Sequence, residues 1–395
     1  MKAIFIGSDP SLYNPESSAY ARMKEYAAAI GTLRIIMRSD EADSVHEDGA
    51  LTIEGVRAGR LESMRVLAAR AKERIGTDGV EVVSAQDPFE HGWAAMKAVE
   101  GTNARLHIQV HTDFLSPWFV RGGIARSPQV PVPVKNRVRQ VIAGRVLPKA
   151  HGIRVVSVRI KDSLVKKYGT KIVEPTVLPI AVGTVLPGPV ELPTHNFPFV
   201  LATVGRLEPE KRIEDIIEAL ANVTERFPAI GLMIIGEGSE KARLMTLVVE
   251  KGLTGKVIFT GDRPDAWGLM RSAQGYIQAS AYEGYSRTLV EAALARVPII
   301  TSDVGIVGEV FAGYEDVLAT PPGDPTNLAY HMIALLEDRP GNELRIRSAE
   351  AKALAHTKQY ENLPQLIAAD LARLVSTPEI KEEGPTTASA VSPMG

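Results

Sequence analysis

Residues 275–310, GYIQASAYEGYSRTLVEAALARVPIITSDVGIVGEV, decide the fold of this chain. The apolar runs at 275–278 and 297–301 are short and predict two buried strands. Between them, residues 287–295 have the apolar spacing of a helix. A strand, a helix and a second strand in succession predict a parallel sheet that is covered by helices on both faces.

The same alternation extends in both directions from this stretch. In the second half of the chain, the further predicted strands are 199–204, 231–235 and 257–260, and the helices are 212–226, 239–251, 264–272, 326–337, 343–355 and 360–374. In the first half, the predicted strands are 2–7, 33–37, 80–84, 106–110, 153–156 and 176–178, and the helices are 17–30, 89–99 and 158–168. Each half therefore predicts a parallel α/β sheet of its own.

A segment with a different composition separates the two halves. Residues 181–198, AVGTVLPGPVELPTHNFP, include four prolines and two glycines, which is typical of a linker. We therefore predict two Rossmann-like domains that face each other across a cleft. The predicted order is a first domain at 1–183, a linker at 184–198, a second domain at 199–357, a helix at 358–376 that packs back on the first domain, and a disordered polar tail at 380–395.

Charge and composition exclude several classes of function. The formal net charge is −2 at pH 7, so the chain as a whole has no bias toward nucleic acid. The absence of cysteine excludes disulfides, thiolate nucleophiles and cysteine-bound metals. The N-terminal apolar run is too short for a signal peptide, and no apolar stretch is long enough to cross a bilayer. These features predict a cytoplasmic location, either free or on the inner surface of a membrane.

Two cations follow the first strand of the second domain, in the motif VGRLEPEKR at 204–212. Arg206 and Lys211 lie between that strand and the next helix. An arginine that donates paired hydrogen bonds and a lysine that supplies a point charge, both beside a helix N-terminus, suit a diphosphate. A solvated loop without a function fits the same spacing, and the sequence leaves both interpretations open.

Phosphate and metal motifs are otherwise sparse. The turn Gly236-Glu237-Gly238 would let the backbone approach a ligand, although a plain tight turn gives the same pattern. No Gly-x-Gly-x-x-Gly follows the first strand and no Walker P-loop is found, which argues against a dinucleotide oxidoreductase. No Asp-x-Asp occurs in the chain, so a metal-bridged diphosphate has no obvious ligand pair. Arg206 and Lys211 would then neutralise a diphosphate leaving group without a metal.

Two carboxylates lie near the end of the strand at 275–278. Glu283 is in the loop after it, and Glu291 is in the following helix. Carboxylates at such positions can accept hydrogen bonds from sugar and ribose hydroxyls. The alternative for Glu283 is a solvated loop acid. The alternative for Glu291 is structural, because Thr288 and Glu291 have the spacing of a capping box.

His111 follows the strand at 106–110, in the sequence HTD. A histidine at the carboxyl end of a strand faces the cleft of such a sheet, where it can bond to a sugar hydroxyl or a phosphate. The alternative is a structural histidine bonded to a neighbouring loop, and the sequence does not separate the two. His91, His107 and His151 lack such a context and are predicted to be structural.

The segment 121–171 is strongly basic, with 13 lysines and arginines and the single acid Asp162. Apolar residues accompany these charges: Trp118 and Phe119 just before the segment, and Val138, Val141, Ile142, Val146 and Leu147 within it. A basic, partly amphipathic segment can lie on an anionic membrane or bind a phosphorylated lipid acceptor. The alternative is that the apolar residues belong to the core and the charges form a solvated face.

Taken together, these segments resemble the retaining glycosyltransferases of family 4, among the glycosyl transferases group 1, which have the GT-B fold. VGRLEPEK, LMIIGEGSEKARL, VIFTGDRPD and the stretch 275–310 follow one another in that family's order, and Glu283 and Glu291 form its Glu-x7-Glu pattern. The first half is similar to a bacterial branch of the family in AQDPFEHG, LHIQVHTDF and IRVVSVRIKDSLVKKYG. Two departures are the loop SDPSLYNPESSAY, where the family often has Gly-Gly, and Tyr285-Ser286, where Phe-Gly or Phe-Pro is frequent.

The resemblance implies that the chain transfers a sugar from a UDP- or GDP-linked donor to a glycan or lipid-linked acceptor, with no cofactor, metal or nucleic acid. For the nucleotide, the resemblance implies that Arg206 and Lys211 bind the diphosphate and that Glu291 binds the ribose. It also implies that Gly236 and Glu237 line the nucleotide pocket and that Arg263 lies near the base. For the sugar, Glu283 with Gly284, Tyr285 and Ser286 is implied to position it, and His111 to lie near it across the cleft. Of these, His111, Glu283, Arg206 and Lys211 are the expected catalytic residues. Two other functions stay open: a sugar-nucleotide epimerase with the same architecture, and a non-catalytic nucleotide-sugar-binding protein.

Overall fold

The computed structural model describes residues 1–59, 62–121, 134–184 and 187–376. The predicted disordered tail at 380–395 and the linker residues 185–186 lie outside this part of the chain. The described residues form two mainly parallel sheets with helices packed on both faces of each sheet. The predicted α/β class with two Rossmann-like domains is therefore confirmed.

The first sheet has eight strands. In chain order they are β1 (Lys2–Gly7), β2 (Thr32–Ser39), β3 (Ser44–Asp48), β4 (Leu51–Arg57), β5 (Val82–Ala85), β6 (Arg105–Val110), β7 (Gly152–Val155) and β8 (Thr176–Val177). Their order across the sheet is β3-β4-β2-β1-β5-β6-β7-β8, and every pair is parallel except β3 with β4. Because parallel strands end at the same edge, the loops after β1, β5 and β6 lie side by side.

Seven helices of the described residues pack on this sheet. They are α1 (Ser18–Ile30), α2 (Ser63–Asp78), α3 (Glu90–Val99), α4 (Pro117–Arg121), α5 (Val134–Val146), α6 (Val158–Tyr168) and the C-terminal α13 (Leu363–Ser376). Helix α1 begins after Ser17, whose hydroxyl accepts a hydrogen bond from the backbone N–H of Tyr20, and it ends at Gly31 with φ of 112°. Apolar residues of α1 and α13 share one core with one face of the sheet, whereas those of α2, α3, α5 and α6 cover the other face.

The second sheet has six strands. They are β9 (Phe199–Val204), β10 (Ile230–Ile235), β11 (Val257–Gly261), β12 (Gly275–Gln278), β13 (Ile299–Ser302) and β14 (Leu318–Thr320). All pairs are parallel, and the order is β11-β10-β9-β12-β13-β14. The loops after β9 and β12 are therefore neighbours at the carboxyl edge of this sheet.

The helices between and after these strands complete the second domain. They are α7 (Ile213–Thr224), α8 (Lys241–Glu250), α9 (Ala266–Ser272), α10 (Arg287–Leu294), α11 (Pro325–Glu337) and α12 (Arg339–Gln359). After α12 the chain crosses back, and α13 packs against α1 and against β5, β6 and β7 of the first domain. Among the helices that the structure describes, none is both long and apolar enough to cross a membrane.

The sequence patterns did not predict the hairpin of β3 and β4, the helices α2, α4 and α5, or the strand β14. Strand β3 is exposed along most of its length and therefore has no apolar pattern. Strand β4 contains Glu54, which is fully buried and bonded to Arg34, Arg70 and Arg74. A buried carboxylate that three arginines neutralise interrupts the apolar run on which the prediction of a strand depends.

The two domains contact each other directly along the cleft. Arg159 of α6 donates to the backbone oxygens of Gly305 at 3.1 Å and Val307 at 2.7 Å, and its guanidinium also bonds to the Asp303 carboxylate at 2.5 Å. The ring centroids of Phe119 and Tyr282, from opposite domains, lie 5.7 Å apart. These contacts place the carboxyl ends of the two sheets face to face.

Candidate active site

The second domain contributes a rim of loops in which backbone hydrogen bonds join neighbouring strand ends. The N–H of Leu207 donates to the carbonyl of Glu237 at 2.8 Å, and the N–H of Gly236 donates to that of Gly261 at 2.8 Å. The loops after β9, β10 and β11 therefore form one continuous edge. The predicted site residues on this edge are Arg206, Gly236, Glu237 and Arg263.

Two glycines on the rim are required by contact between its loops. Gly236 has φ of 137°, and a Cβ atom there would lie 2.0 Å from the carbonyl oxygen of Gly205. A Cβ atom at Gly238 would lie 2.4 Å from the carbonyl oxygen of Leu207. No larger residue fits at these distances without a shift of the backbone. The contacts between loops therefore explain the two glycines of the turn at 236–238. The predicted approach of a nucleotide to this turn is a separate, additional expectation.

Lys211 and Glu283 form the central ion pair of the site. Lys211 ends the short 3-10 turn before α7, and its Nζ lies 2.5 Å from Oε1 of Glu283 in the loop after β12. The Ser280 hydroxyl donates to the same carboxylate oxygen at 2.7 Å. The two charged side chains are 24% and 14% exposed, so the pair is shielded yet reachable from the cleft. Two of the predicted catalytic residues are thus in direct contact.

The other charged residues predicted on the rim each pair with a neighbour on their own loop. The pairs are Arg206 with Glu210 at 3.1 Å, Glu237 with Lys241 at 2.6 Å, and Arg263 with Asp265 at 2.7 Å. Arg206 is the most exposed of these cations, at 73% of its side chain. Because an exposed pair of this kind has a free energy of only about 0–1 kcal/mol, these side chains can exchange partners when a ligand binds.

The loop after Glu283 meets the first domain at Gly284. A Cβ atom at Gly284 would lie 1.9 Å from the backbone oxygen of His111. Only a glycine permits this contact, which brings Glu283 beside the strand end that bears His111. The structure thus places the two predicted residues from opposite domains next to each other.

Ser286 and Tyr285 continue this loop into α10. Ser286 is buried and has φ of 71°, a left-handed conformation that a serine rarely adopts. Strain of this kind is common at ligand-binding turns. The Tyr285 ring is buried against α12, where its hydroxyl lies 2.9 Å from Nε2 of His356. A donor contact predicted for Tyr285 would therefore have to come from its backbone.

Glu291 is buried in α10, one turn after the strained loop. Its carboxylate accepts a hydrogen bond from Arg287 at 2.7 Å. Burial raises the pKa of Glu291, although Arg287 acts in the opposite direction. The capping box suggested by the sequence is absent, because the helix begins at Arg287 after Ser286 and the Thr288 hydroxyl bonds to Gln278 at 3.1 Å. The capping-box interpretation of Glu291 is therefore wrong.

His111 lies at the end of β6, and its Nε2 is 3.2 Å from Oε1 of Gln109. Burial, reinforced by the charge of Arg154, lowers the pKa of His111 to about 3. The imidazole is therefore neutral at physiological pH. His107, predicted to be structural, is buried inside β6, and His91 bonds to Asp87 at the start of α3.

A cavity of about 200 Å³ lies between the domains beside Glu283. Asp113, Trp118 and Arg159 line it from the first domain. Oδ1 of Asp113 is buried and has no hydrogen-bond partner among the described residues, and burial raises the pKa of this carboxyl. The sequence predicted no site role for Asp113 or Arg159, and it placed Trp118 only in the apolar set beside the basic segment. The HTD motif contained a signal for Asp113, whereas Trp118 and Arg159 reach the cleft only through tertiary packing.

A second cavity, of about 280 Å³, opens on the other side of His111. Ser8 and Asp9 of the loop after β1 line it together with Asp87. Ser17 lies near the expected position of the family's Gly-Gly pair. Its side chain caps the N-terminus of α1 and is therefore already hydrogen-bonded. The part of this loop that faces the site is therefore Ser8 and Asp9.

The basic segment 121–171 includes a surface between α5 and α6, while its residues 122–133 lie outside the described chain. Val134, Val138 and Val141 form an exposed stripe on α5, with 71%, 51% and 56% of each residue accessible. The lysines and arginines exposed near this stripe are Lys135, Arg137, Arg145, Lys149, Lys166, Lys167 and Lys171. Val146, Leu147 and Phe119 are buried, so only part of the predicted apolar set belongs to the core.

Comparison with known proteins agrees with this architecture. Residues 191–354 match the family described as glycosyl transferases group 1. Glycogen synthase from Mycobacterium tuberculosis is 26% identical over 324 residues, which are 70% of this chain and 76% of that protein.

Two solved structures are similar over nearly the whole chain. Sucrose-phosphate synthase from Thermosynechococcus elongatus has a TM-score of 0.79 at 19% identity, over 95% of this chain and 100% of that one. Anabaena HepE in complex with UDP-glucose has a TM-score of 0.70 at 18% identity, over 94% and 100%. These structures show that the fold is GT-B. The matched domain and the relative in sequence indicate a group 1 glycosyltransferase.

Proposed function

We propose that the protein is a retaining glycosyltransferase of family 4 that transfers a hexose from a UDP- or GDP-linked donor to a glycan or lipid-linked acceptor. The main support is the contact between domains at Gly284, which brings the Lys211–Glu283 pair beside His111. Cationic, anionic and neutral hydrogen-bonding groups are thus neighbours where the two domains meet. The complex of Anabaena HepE with UDP-glucose is consistent with a UDP-linked donor.

The donor diphosphate binds to Lys211, Arg206 and the N-terminus of α10 in this proposal. In the first turn of that helix the N–H of Leu289 already donates to the backbone oxygen of Ser286 at 3.0 Å, so the N–H groups of Arg287 and Thr288 are the ones that would bind an anion. Two cations and a helix dipole can neutralise the leaving diphosphate without a metal or another cofactor. The nucleoside lies along the rim, with Glu291 on the ribose, Gly236 and Glu237 beside it and Arg263 near the base.

Retention follows when the acceptor attacks from the face that the diphosphate leaves. The bond between the anomeric carbon and the β-phosphate oxygen breaks, and a bond from that carbon to the acceptor oxygen forms. The acceptor proton passes to the departing phosphate oxygen, so charge is balanced without a protein nucleophile. Glu283, with the backbone of 284–286, positions the sugar. The closed cleft limits attack by water.

The acceptor approaches from the first domain in this proposal. The cavity that Asp113, Trp118 and Arg159 line is next to Glu283 and offers an unpaired carboxylate oxygen for a hydroxyl. The exposed valine stripe of α5 and the surrounding cations suit the headgroup region of an anionic membrane. A lipid-linked acceptor would then reach the cleft while the enzyme lies on the cytoplasmic leaflet.

A thermal-shift screen with UDP-, GDP- and ADP-sugars tests the donor. A true donor stabilises the folded state by mass action, by about 2.7 kcal/mol at a hundred times its Kd. The variant Lys211→Met should lose most of this shift. Incubation of the stabilising sugar nucleotide without an acceptor distinguishes the enzyme classes, because an epimerase would convert it and a transferase would leave its sugar unchanged. Absence of a shift with every sugar nucleotide would contradict the proposal.

A further inference from the structure

A line of buried polar side chains runs through the first domain from α13 to His111. Asp370 of α13 lies 3.1 Å from Nε2 of His107, and Nδ1 of His107 lies 2.8 Å from the Ser84 hydroxyl. Ser84 in turn lies 3.0 Å from Nε2 of Gln109, whose Oε1 lies 3.2 Å from Nε2 of His111. Ser84, His107 and Gln109 are each at most 1% exposed. Water is therefore excluded from the interior of the line.

At the far end of the line, the charge of Asp370 determines which nitrogen of His107 donates a hydrogen bond. Burial raises the pKa of Asp370, but the hydrogen bonds from His107 and Thr176, together with the neighbouring positive charge of Arg373, outweigh burial and keep the pKa below its ordinary value. An ionised carboxylate accepts only, so Nε2 of His107 is the donor. The other ring nitrogen, Nδ1, lies against the Ser84 hydroxyl, which can donate to it or accept from it.

At the end of the line near His111, Arg154 is buried beside Gln109 and determines the orientation of the Gln109 amide. Its Nη1 donates to Oε1 of Gln109 at 2.8 Å, and its other nitrogens donate to the backbone oxygens of Leu178 and Pro179. A guanidinium has no acceptor atom, so the Gln109 atom that faces it is the oxygen. The Gln109 amide nitrogen consequently points to Ser84, whose oxygen is free to accept.

The orientation of Gln109 that Arg154 sets therefore fixes the direction of donation at this end of the line. The Gln109 amide nitrogen donates to Ser84, and the Gln109 oxygen, which accepts from Arg154, also accepts from Nε2 of His111. The proton of the neutral His111 ring is therefore on Nε2, and Nδ1 retains its lone pair. No described residue donates a hydrogen bond to this Nδ1.

We propose that Gln109 is a positioning residue that fixes His111 as its Nε2–H tautomer, so that Nδ1 accepts a hydrogen bond from a substrate hydroxyl. Arg154 orients the Gln109 oxygen, and Ser84, His107 and Asp370 complete the orientation of its amide. An acceptor nitrogen suits a sugar hydroxyl and does not suit a phosphate oxygen, which has no proton to donate. The identity of that hydroxyl rests on the proposed function, whereas the tautomer does not.

The tautomer is measured on the free protein by two-bond ¹H–¹⁵N correlation spectra of ¹⁵N-histidine-labelled samples. His111→Gln assigns the resonance. His111 of the wild type should be the neutral Nε2–H form from about pH 5.5 to 8, the interval in which an ordinary histidine titrates. Nε2 of His107 should carry a proton as well, because it faces the Asp370 carboxylate. A His111 with its proton on Nδ1, or a charged His111 in this interval, would overturn the proposal without any variant.

Two isosteric variants test the role of Gln109. Gln109→Met removes the oxygen that accepts from His111, and both tautomers should then appear. Gln109→Glu keeps an acceptor oxygen and should keep the Nε2 proton. An unchanged His111 spectrum in Gln109→Met would show that another group sets the tautomer. A loss of the Nε2 proton in Gln109→Glu would equally contradict the proposal.

A second pair of variants tests the far end of the line. Asp370→Leu removes the acceptor of His107, so His107 should lose its fixed Nε2 proton. The matched control Thr176→Val removes a hydrogen bond to the other oxygen of this carboxylate, which Thr176 donates to Oδ1 at 2.9 Å, and should leave the His107 spectrum unchanged. Transfer by Gln109→Met should fall roughly tenfold in kcat, with recovery in Gln109→Glu. Inactivity of the wild type with every donor would refute the proposed function and leave the spectra interpretable.

Discussion

Replacement of Lys211 by methionine is the most direct test of the donor site. The variant keeps the length of the side chain and removes the ammonium that lies 2.5 Å from Glu283. Loss of one charge-assisted hydrogen bond to a diphosphate weakens binding by about 1.5–3 kcal/mol. That is about 10- to 150-fold in Kd for the nucleoside diphosphate. The lower end of this range is expected, because Glu283 already compensates the charge of Lys211 in the free protein.

The same geometry gives a prediction of opposite sign for Glu283. Glu283→Gln removes the anion that competes with the phosphate for Lys211, so the nucleoside diphosphate alone should bind a few-fold more tightly. Turnover should fall, since the carboxylate that positions the sugar is lost. In the double variant with Lys211→Met, the gain from Glu283→Gln should vanish. Such non-additivity is the signature of a direct contact.

Isothermal titration calorimetry with UDP and GDP measures these affinities. Lys161→Met is the matched control, because Lys161 is 30% exposed and bonds to Glu174 at 2.7 Å in the first domain. The Lys161–Glu174 pair is largely exposed and stabilises the fold by about 1 kcal/mol or less, so Lys161→Met should remain folded, and a thermal melt checks that Lys211→Met does as well. If Lys211→Met binds both nucleotides as tightly as Lys161→Met does, Lys211 does not contact the diphosphate and the assigned donor site is wrong.

Three further predictions concern the ribose, the metal and the membrane. Glu291→Gln should weaken nucleotide binding without sugar. Burial raises the pKa of Glu291, so this carboxylate takes up a proton at a higher pH than an ordinary glutamate does. As the pH is lowered, the nucleotide affinity of the wild type should therefore fall early, whereas that of Glu291→Gln should not show this fall. Identical pH profiles of affinity for the two proteins would contradict the ribose contact. Transfer should persist in excess EDTA, and complete loss that Mn²⁺ restores would exclude the cationic diphosphate site. The double variant Arg137→Glu with Lys167→Glu should no longer co-sediment with anionic liposomes at low salt, because each cation contributes about 1 kcal/mol to membrane binding. Its nucleotide affinity should be unchanged.

The fold class was predictable because the second domain follows one rule from β9 to β13. Short apolar runs become β9 to β13, and each helix between them has an apolar face that covers the sheet. The rule fails where charge is buried, as at Glu54 in β4, and where apolar residues are exposed, as at Val138 in α5. A pattern of hydropathy has no information on which carboxylate three arginines will neutralise in the interior.

The candidate site was predictable in composition but not in its contacts. The position of Lys211 and Glu283 after neighbouring strands places them at one edge, and the structure joins them. The contact of Gly284 with the His111 backbone depends on how the two domains meet, which no local spacing reports. Likewise Asp370 reaches His107 over 263 residues of sequence, so the line that orients His111 becomes visible only after α13 has packed.

The path of the chain places a constraint on how far the cleft can open. The chain passes between the domains twice, once through the linker and once after α12, so a relative movement has to be accommodated at both crossings. At the second crossing, His356 of α12 bonds to Tyr285, which follows Glu283 by two residues. On the opposite side, opening would separate Arg159 from Asp303 and from the backbone oxygens of Gly305 and Val307. Because all these contacts involve the loops that surround Glu283, opening the cleft requires the loop at 283–286 to be released as well. If this loop binds the sugar as proposed, a substrate that bridges the domains holds the cleft closed and the loop in place together.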